Sequence, residues 1–572
     1  MTATSQISDA RSRRPGALTG AVVGVLAAAV AIGAAQFASG LGVPRSSPVL
    51  AVGQAAIDLT PPPVKDFAIS RFGTHDKTVL LGGMLVVIAL YAAVVGMLAV
   101  RRLALGLTGL AIFACIGLAA ALTRPGATVG YVVPTLAGAA AGAVALIWLA
   151  RAAAGLGTRP GPPSRRARAF GTRVVRPDPP PDALTPPDLP PPVVRAGPAY
   201  SFTFLPNPAD PEPSRWPARR RFLISGGVAA VVATFGTVAG RNLTDEHNIS
   251  MARAAIRFPR PSVPAPPLPA GSNLNIPGLS SFITPDSSFY RVDTALLVPQ
   301  VDPATWQLRI HGMVQREVTI TFAELLRRPL IEAYVTLTCV SNPVGGPYAG
   351  NASWLGASLA ALIRQARPLA GANQLLSTSV DGFTSGTPLQ VVLDGRNALL
   401  AVAMNGTALP VVHGFPARLV VPGLYGYVSA TKWVTDIEVT TFADAYGYWP
   451  QRGWSQQGPI KTECRIDVPG AGASLAPGQI AVAGVAWAQH KGIAAVEVRV
   501  NGGPWHEARL AAVPGIDTWR QWVWDWTAAP GNYMLEARAT DATGYTQTAV
   551  QAQPPPNGAS GYPSAQVTVH AP

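Results

Sequence analysis

The chain has 572 residues, 48% of them hydrophobic and 13% charged, with a mean hydropathy of +0.25. At one domain per about 100 to 200 residues, this length excludes a single core, and so apolar a balance points to integral membrane segments rather than a wholly soluble enzyme. The formal charge of +14 does not argue for nucleic acid, because residues 151–221 hold twelve arginines against five acidic residues, beside apolar runs where positive-inside bias concentrates such charge.

Four long apolar runs fill the first part of the chain, at about Ala17–Phe37, Thr78–Val100, Leu103–Leu122 and Gly130–Ala150. Each approaches the roughly 20 residues that a helix needs to cross a bilayer, so residues 1–154 are expected to form a four-span membrane domain. Arg11, Arg13 and Arg14 precede the first run, Arg101 and Arg102 separate the second from the third, and Arg151 follows the fourth. With alternating spans these cations share one side, which the positive-inside rule makes cytoplasmic, the N-terminus included. The loop after the first span dilutes Arg45, Lys65, Arg71 and Lys77 with Asp58, Asp66 and Asp76.

Residues 155–218 are rich in Pro and Arg and read as an extended cytoplasmic linker. A fifth apolar run, Phe222 to Gly240, follows inside the segment 219–241. Its entry, Arg219 and Arg220, one spacer, then Phe222 and Leu223, resembles a twin-arginine export signal placed internally; helix-end anchoring is the simpler alternative. Five spans put everything beyond Arg241 outside the cell.

After a linker at 242–285, residues 286–447 mix alternating strands ("WQLRIHGMV", "ARLVVPG") with helical stretches ("TFAELLRRP", "SLAALIRQA"), an α+β pattern. A connector at 448–475 leads into 476–572, where "IAVAGVAWA", "AAVEVRVNGG", "QWVWDW", "NYMLEARATDATG" and "SAQVTVHA" alternate with Gly, Pro and Asp turns. That spacing suggests an immunoglobulin-like β-sandwich.

Cys115, Cys339 and Cys464 are too few and too scattered for a disulfide framework or a four-thiolate cluster, so thiol chemistry must rest on one residue. Cys339 stands in "VTLTCVSNPVGGPY", after a β-branched run and inside a turn-forming stretch, a strand-end position from which catalytic groups are often presented. Downstream, "MNGTALPVVHGFPARLVVPGLYGYVSATKW" gathers His413, Arg418 and Lys432 around glycine turns, the donors a phosphate wants.

The string "MNG…LP…HGFP-R-VVPG…G…KW" resembles the molybdopterin-binding segment of the sulfite oxidase family, and "CVSN" follows that family's C-x-x-N turn. "SSFYRVDTALLVPQVDPATWQLRIHGMV" resembles its start, and the C-terminal strands its dimerisation domain, so the likeness runs from about 286 to 570. The resemblance implies a molybdenum–molybdopterin cofactor with Cys339 as the metal ligand. It also implies that Phe289, Tyr290, Arg291, Asp381, His413, Arg418 and Lys432 hold the pterin and its phosphate, with Arg291 beside the chemistry. Oxygen-atom transfer to or from a small oxo substrate, an unidentified electron partner and a homodimer through the C-terminal domain follow as expectations.

Pro343 and Val344 stand where sulfite-oxidising members carry an Arg pair, and Val402 where they carry a Tyr, which removes donors that a sulfate-like dianion needs. A sulfoxide, another oxyanion or an organic substrate remains open. Two other classes compete: a cofactor-free tethered binding module, and a membrane redox partner fused to an inactive domain. Haem in the spans would need facing His pairs, and all seven His lie elsewhere, with His75 only at the mouth of the second span.

Overall fold

In the computed structural model the described residues are 16–41, 47–61, 64, 76–123, 129–154, 218–242 and 246–571. The Pro- and Arg-rich linker, His75, and the cations Arg11, Arg13, Arg14, Arg45, Lys65 and Arg71 lie outside them, as do the side chains of Arg219 and Arg220. Among the described residues the N-terminal region holds the α-helices α1 (Ala17–Leu41), α2 (Pro48–Leu59), α3 (Asp76–Arg101), α4 (Leu103–Leu122), α5 (Val132–Ala154) and α6 (Ala218–Asn242).

Among the described residues four helical stretches are long and apolar enough to cross a membrane: Ala17–Leu41, Val79–Arg101, Leu103–Leu122 and Val129–Ala154. They coincide with the four expected runs. The apolar part of α6, Phe222–Thr237, is shorter than these four. Helix α2 was not anticipated; Pro48 at its first turn presets the backbone angle and the Ala-rich sequence carries it on. Helices α1 and α3 meet through small residues: a Cβ on Gly24 would lie 1.8 Å from the Ala92 carbonyl oxygen, and one on Gly96 2.2 Å from that of Gly20.

The β-rich region is entered through α7 (Glu246–Ala255). Its first elements are β1 (Gln307–Gly312), β2 (Val318–Thr321), α8 (Phe322–Leu326), β3 (Leu330–Thr338), β4 (Ala349–Ser358) and α9 (Leu359–Ala366). There follow β5 (Gln374–Ser379), β6 (Thr384–Pro388), α10 (Leu389–Leu393), β7 (Leu399–Met404), β8 (Thr407–Ala408), β9 (Arg418–Val420) and β10 (Val434–Thr440). One sheet runs β2-β1-β10-β5-β6, with β1 and β10 parallel; the other runs β3-β4-β7-β8, with β9 on β7.

The stretches read as strands and helices form them. Helix α8 starts on a capping box in which Thr321 and Glu324 satisfy each other's backbone N–H groups. All six residues of β7 are buried because cores lie on both its faces: Leu400 and Val402 belong to one, Leu399 and Ala401 to the other. Val402 is therefore packed core.

Nine further strands form two sheets. The first is β11 (Glu463–Val468), β13 (Gly478–Trp487), β17 (Arg520–Ala528) and β16 (Arg509–Leu510), in that order; the second is β12 (Ser474–Leu475), β19 (Ser564–Val569), β18 (Gly531–Asp541), β14 (Ile493–Val500) and β15 (His506–Glu507). Val482, Ala486 and Trp522 from the first share a core with Val496, Val498, Leu535, Ala537 and Val567 from the second. The five predicted strand runs are β13, β14, β17, β18 and β19.

Candidate functional site

Strand β3 ends at Thr338, and the chain turns so that the Cys339 N–H donates to the Tyr348 carbonyl at 2.9 Å while the Asn342 N–H returns to the Cys339 carbonyl at 3.1 Å. Asn342 Oδ1 closes the loop by accepting from the Tyr348 N–H at 2.8 Å, which explains the C-x-x-N spacing in local terms. Cys339 Sγ is half-buried and 2.9 Å from Ser341 Oγ. Burial pushes the thiol above its ordinary pKa, against hydrogen bonding from Ser341 and the charge of Lys432.

The HGFP segment supplies the second half. Gly414 has φ 111°, and a Cβ there would come within 3.0 Å of Arg418 Cβ and 3.1 Å of Lys432 Cβ, so only glycine lets the turn pass between the two cationic side chains. His413 is buried; its Nε2 lies 3.1 Å from the Asp286 carbonyl and therefore carries the proton in the neutral ring. Among the described residues its Nδ1 has no partner. Burial, then the positive charges of Arg418 and Lys432, depress its pKa to about 4.

Arg418 is buried and is bonded to carbonyls: Nη1 to His413 at 3.0 Å, Nη2 to Ala430 at 3.3 Å and Nε to Leu419 at 3.4 Å. Its guanidinium lies 5.1 Å from the Trp354 ring centroid, and among the described residues no carboxylate pairs with it. Burial lowers its pKa to about 10. Lys432 Nζ donates to Asp293 Oδ2 at 2.9 Å and to the Val412 carbonyl at 3.1 Å; burial pulls its pKa down to about 8, against the pull of Asp293.

The aromatic-Arg segment lies across this cluster. Phe289 stacks on Tyr290 at 5.3 Å and meets Trp354 and His413 edge-on at 5.8 and 5.5 Å. Gly350 leaves it room, since a Cβ there would sit 2.8 Å from the ring. The Tyr290 phenol is held protonated by burial and by Cys339, with Arg418 opposing. Arg291 is more exposed and pairs with Asp293 at 2.8 Å.

Thus Cys339, Tyr290, His413, Arg418 and Lys432 share one electrostatic neighbourhood, edged by Arg291. Asp381 is peripheral. It occupies the β5–β6 turn, accepts from Ser379 Oγ and contacts Thr294 Oγ1 at 3.4 Å, as a turn aspartate does. Pro343 is exposed and Val344 half-buried in the loop after Cys339, whereas Tyr425 and Tyr427 are buried. Asp293 was missed, although it stands two residues from Arg291; so was Ser341, two from Cys339.

Among the described residues no three His, Cys, Asp or Glu side chains converge, so a metal at Cys339 would draw its other ligands from a non-protein chelator. The remaining features fit such a chelator if it is anionic: a buried guanidinium without a carboxylate, a second buried cation, and an orphaned ring nitrogen.

Comparison with known proteins decides the kinship. Residues 295–449 match the model of the oxidoreductase molybdopterin binding domain. The uncharacterized oxidoreductase YuiH of Bacillus subtilis is 30% identical over 157 residues, 27% of this chain and 76% of that protein. This chain belongs to the sulfite oxidase-type molybdopterin oxidoreductase family. Chicken sulfite oxidase is 31% identical over 291 residues, 42% of this chain and 62% of the relative, and the mouse mitochondrial sulfite oxidase is 28% identical with 52% of its length covered. The chain thus spans a little over half the length of these relatives. The crystal structure of the sulfane dehydrogenase SoxCD from Paracoccus pantotrophus is similar at 22% identity and a TM-score of 0.42, over 53% of this chain and 82% of that one.

Proposed function

We propose that this family member is a membrane-anchored, extracytoplasmic molybdenum–pterin enzyme that transfers an oxygen atom to or from a small oxo substrate and exchanges two electrons with a separate partner. The observation that carries the reading is a thiol in a strand-end turn that feels the charge of Lys432 and shares Tyr290 as a neighbour with a buried Arg418, which among the described residues no carboxylate neutralises. When bound, the cofactor supplies the oxo chemistry and the redox change. Cys339 Sγ offers the single protein ligand, soft enough for the metal. Arg418, Lys432 and the His413 ring offer phosphate donors at separate points; His413 Nδ1 does so once protonated, which an adjacent anion favours. Phe289 and Tyr290 cover the site and exclude water, and Tyr290 retains its proton as a donor. Arg291 closes the solvent edge through Asp293, while Asp381 steadies Thr294 as a positioning residue.

The substrate side lacks cations at Pro343 and Val344, which favours a neutral oxo compound such as a sulfoxide over sulfite. The same reading gives α6 as a fifth span entered through Arg219 and Arg220, the N-terminus as cytoplasmic, and 476–572 as an immunoglobulin-like domain available for dimerisation. Domain limits follow the segments set out above, with 286–447 as the catalytic domain. Metal and pterin analysis of the purified full chain, followed by turnover with sulfoxides and sulfite, tests it. Molybdenum near one atom per chain with sulfoxide turnover is expected. A folded chain expressed with cofactor synthesis intact but holding neither metal nor pterin would overturn it.

A further inference from the structure

A second cluster of charge lies at the other end of β3. Arg327 and Arg328 follow α8, Arg364 and Arg367 close α9, and Arg316 precedes β2. Gln365 ties them together: its carbonyl accepts from Arg316 Nε at 3.0 Å and its Oε1 from Arg328 Nη2 at 2.9 Å. Arg260 lies two residues before Ser262, whose N–H donates to the Leu330 carbonyl at 2.8 Å, and so enters this end of β3 close in sequence to that contact. Five of these six arginines are exposed and Arg328 is half-buried. Among the described residues none of the six is in an ion pair.

Arg327 and Arg328 line a cleft of about 320 Å³ with Thr319, Ile320, Glu324 and Gln365. Glu324, the one carboxylate among those residues, is turned onto the Thr321 N–H and hydroxyl, at 2.8 and 2.9 Å. Helix C-termini account for Arg327 and Arg328 after α8 and for Arg364 and Arg367 at the end of α9, but not for Arg260 and Arg316. Glu324 offsets part of the charge of Arg327 and Arg328, but the arginines outnumber it on this face, and an anionic surface would relieve the remaining repulsion.

Two facts favour lipid over an electron carrier as the occupant. The nine residues of β3 place the patch roughly 25–30 Å from Cys339 at about 3.3 Å per residue, remote from the redox chemistry. The patch is also tethered: Arg260 lies eighteen residues beyond Asn242, the end of α6, and ten of those residues are the helix α7. At about 1.5 Å per helical residue and 3.4 Å per extended one, that chain reaches at most roughly 40–45 Å. A membrane carrying α6 therefore keeps its headgroups at high effective concentration around the patch.

We propose that Arg260, Arg316, Arg327, Arg328, Arg364 and Arg367 form a docking face for anionic phospholipid headgroups, whose phosphates their planar guanidinium groups pair bidentately. The proposal rests on the membrane-anchored reading. The test uses the full chain in nanodiscs of phosphatidylcholine alone or mixed with phosphatidylglycerol. Amide exchange is followed at 315–317, 326–328 and 364–367.

Several-fold slower exchange in the anionic discs is expected, lost in high salt and lost when Arg316, Arg327, Arg328 and Arg367 are changed together to Gln. The corresponding four Arg→Lys changes should retain part of the protection, which guards against a merely misfolded Gln variant. A chain that enters the discs but exchanges equally in both lipids overturns the docking face and leaves the anchor standing. A folded chain that does not enter discs at all overturns the anchor and, with it, this face. Protection by added polyglutamate but not by phosphatidylglycerol would overturn the lipid assignment in favour of an acidic protein.

Discussion

Lys432 Nζ rests 2.9 Å from Asp293 Oδ2, the same oxygen that Arg291 Nε reaches at 2.8 Å. One carboxylate thus steadies a buried ammonium and a more exposed guanidinium. With a pKa of about 8, Lys432 is mostly protonated at neutral pH, and Asp293 helps keep it so against burial. Replacing Asp293 by Asn should lower that pKa further and turn Lys432 neutral within the physiological range. Pterin retention by Asp293→Asn should then fall as pH rises from 6 to 8, more steeply than in the parent. Pterin content after gel filtration at each pH checks this; identical profiles would count against Lys432 as a charged phosphate donor.

His413 carries a pH signature in the cofactor-free protein. Its folded pKa, about 4, lies below the ordinary 6.5, so between those values the unfolded chain binds a proton that the folded one does not. Stability is therefore full above pH 6.5 and declines as pH falls toward 4, by about 3 kcal/mol at about 1.4 kcal/mol per unit. His413→Gln keeps an N–H for the Asp286 carbonyl and should flatten that limb. Denaturant melts across this window measure it, and equal acid slopes in both proteins would remove His413 as the cause.

Gly414 gives a steric test. Alanine there combines a left-handed φ of 111° with Cβ approaches of 3.0 Å to Arg418 and 3.1 Å to Lys432. A cost of about 1–3 kcal/mol is expected, with lower pterin content because both cations must shift. Wild-type pterin content in a destabilised Gly414→Ala protein would show that the turn does not set the positions of the cations that matter.

Much of this was legible from local pattern. Four charge-poor runs announce long apolar helices because a helix must satisfy its backbone within one segment, and the β-branched run before Cys339 announces β3. The Gly of HGFP is readable as a turn. What local pattern does not carry is pairing across long separations: Asp293 meets Lys432 139 residues away, and nothing near either residue signals the other. Val402 reads as a missing pocket residue but lies in β7, where cores on both faces bury every side chain. Asp381 sits in a Gly-containing turn whose own hydrogen bonds explain it, and α2 lacks the length by which the spans declare themselves.

Cys339 gives the sharpest prediction. Its backbone is fixed by the bonds to Tyr348 and Asn342, and its side chain touches Ser341 Oγ, so Cys339→Ser alters one half-buried atom of nearly equal size. The fold should be retained, with a melting midpoint close to the parent's. Arg418 and Lys432 are independent of the sulfur, so pterin should still bind, while the metal loses its soft ligand and the electronic tuning that goes with it. Turnover should fall by orders of magnitude. An ordinary packing cysteine would behave differently, since a poorly placed hydroxyl costs about 1–3 kcal/mol of stability and leaves turnover per folded molecule almost unchanged. Melting midpoint, pterin content, metal content and turnover measured on one preparation separate the two, and an active, metal-replete Cys339→Ser protein would end the assignment of this residue.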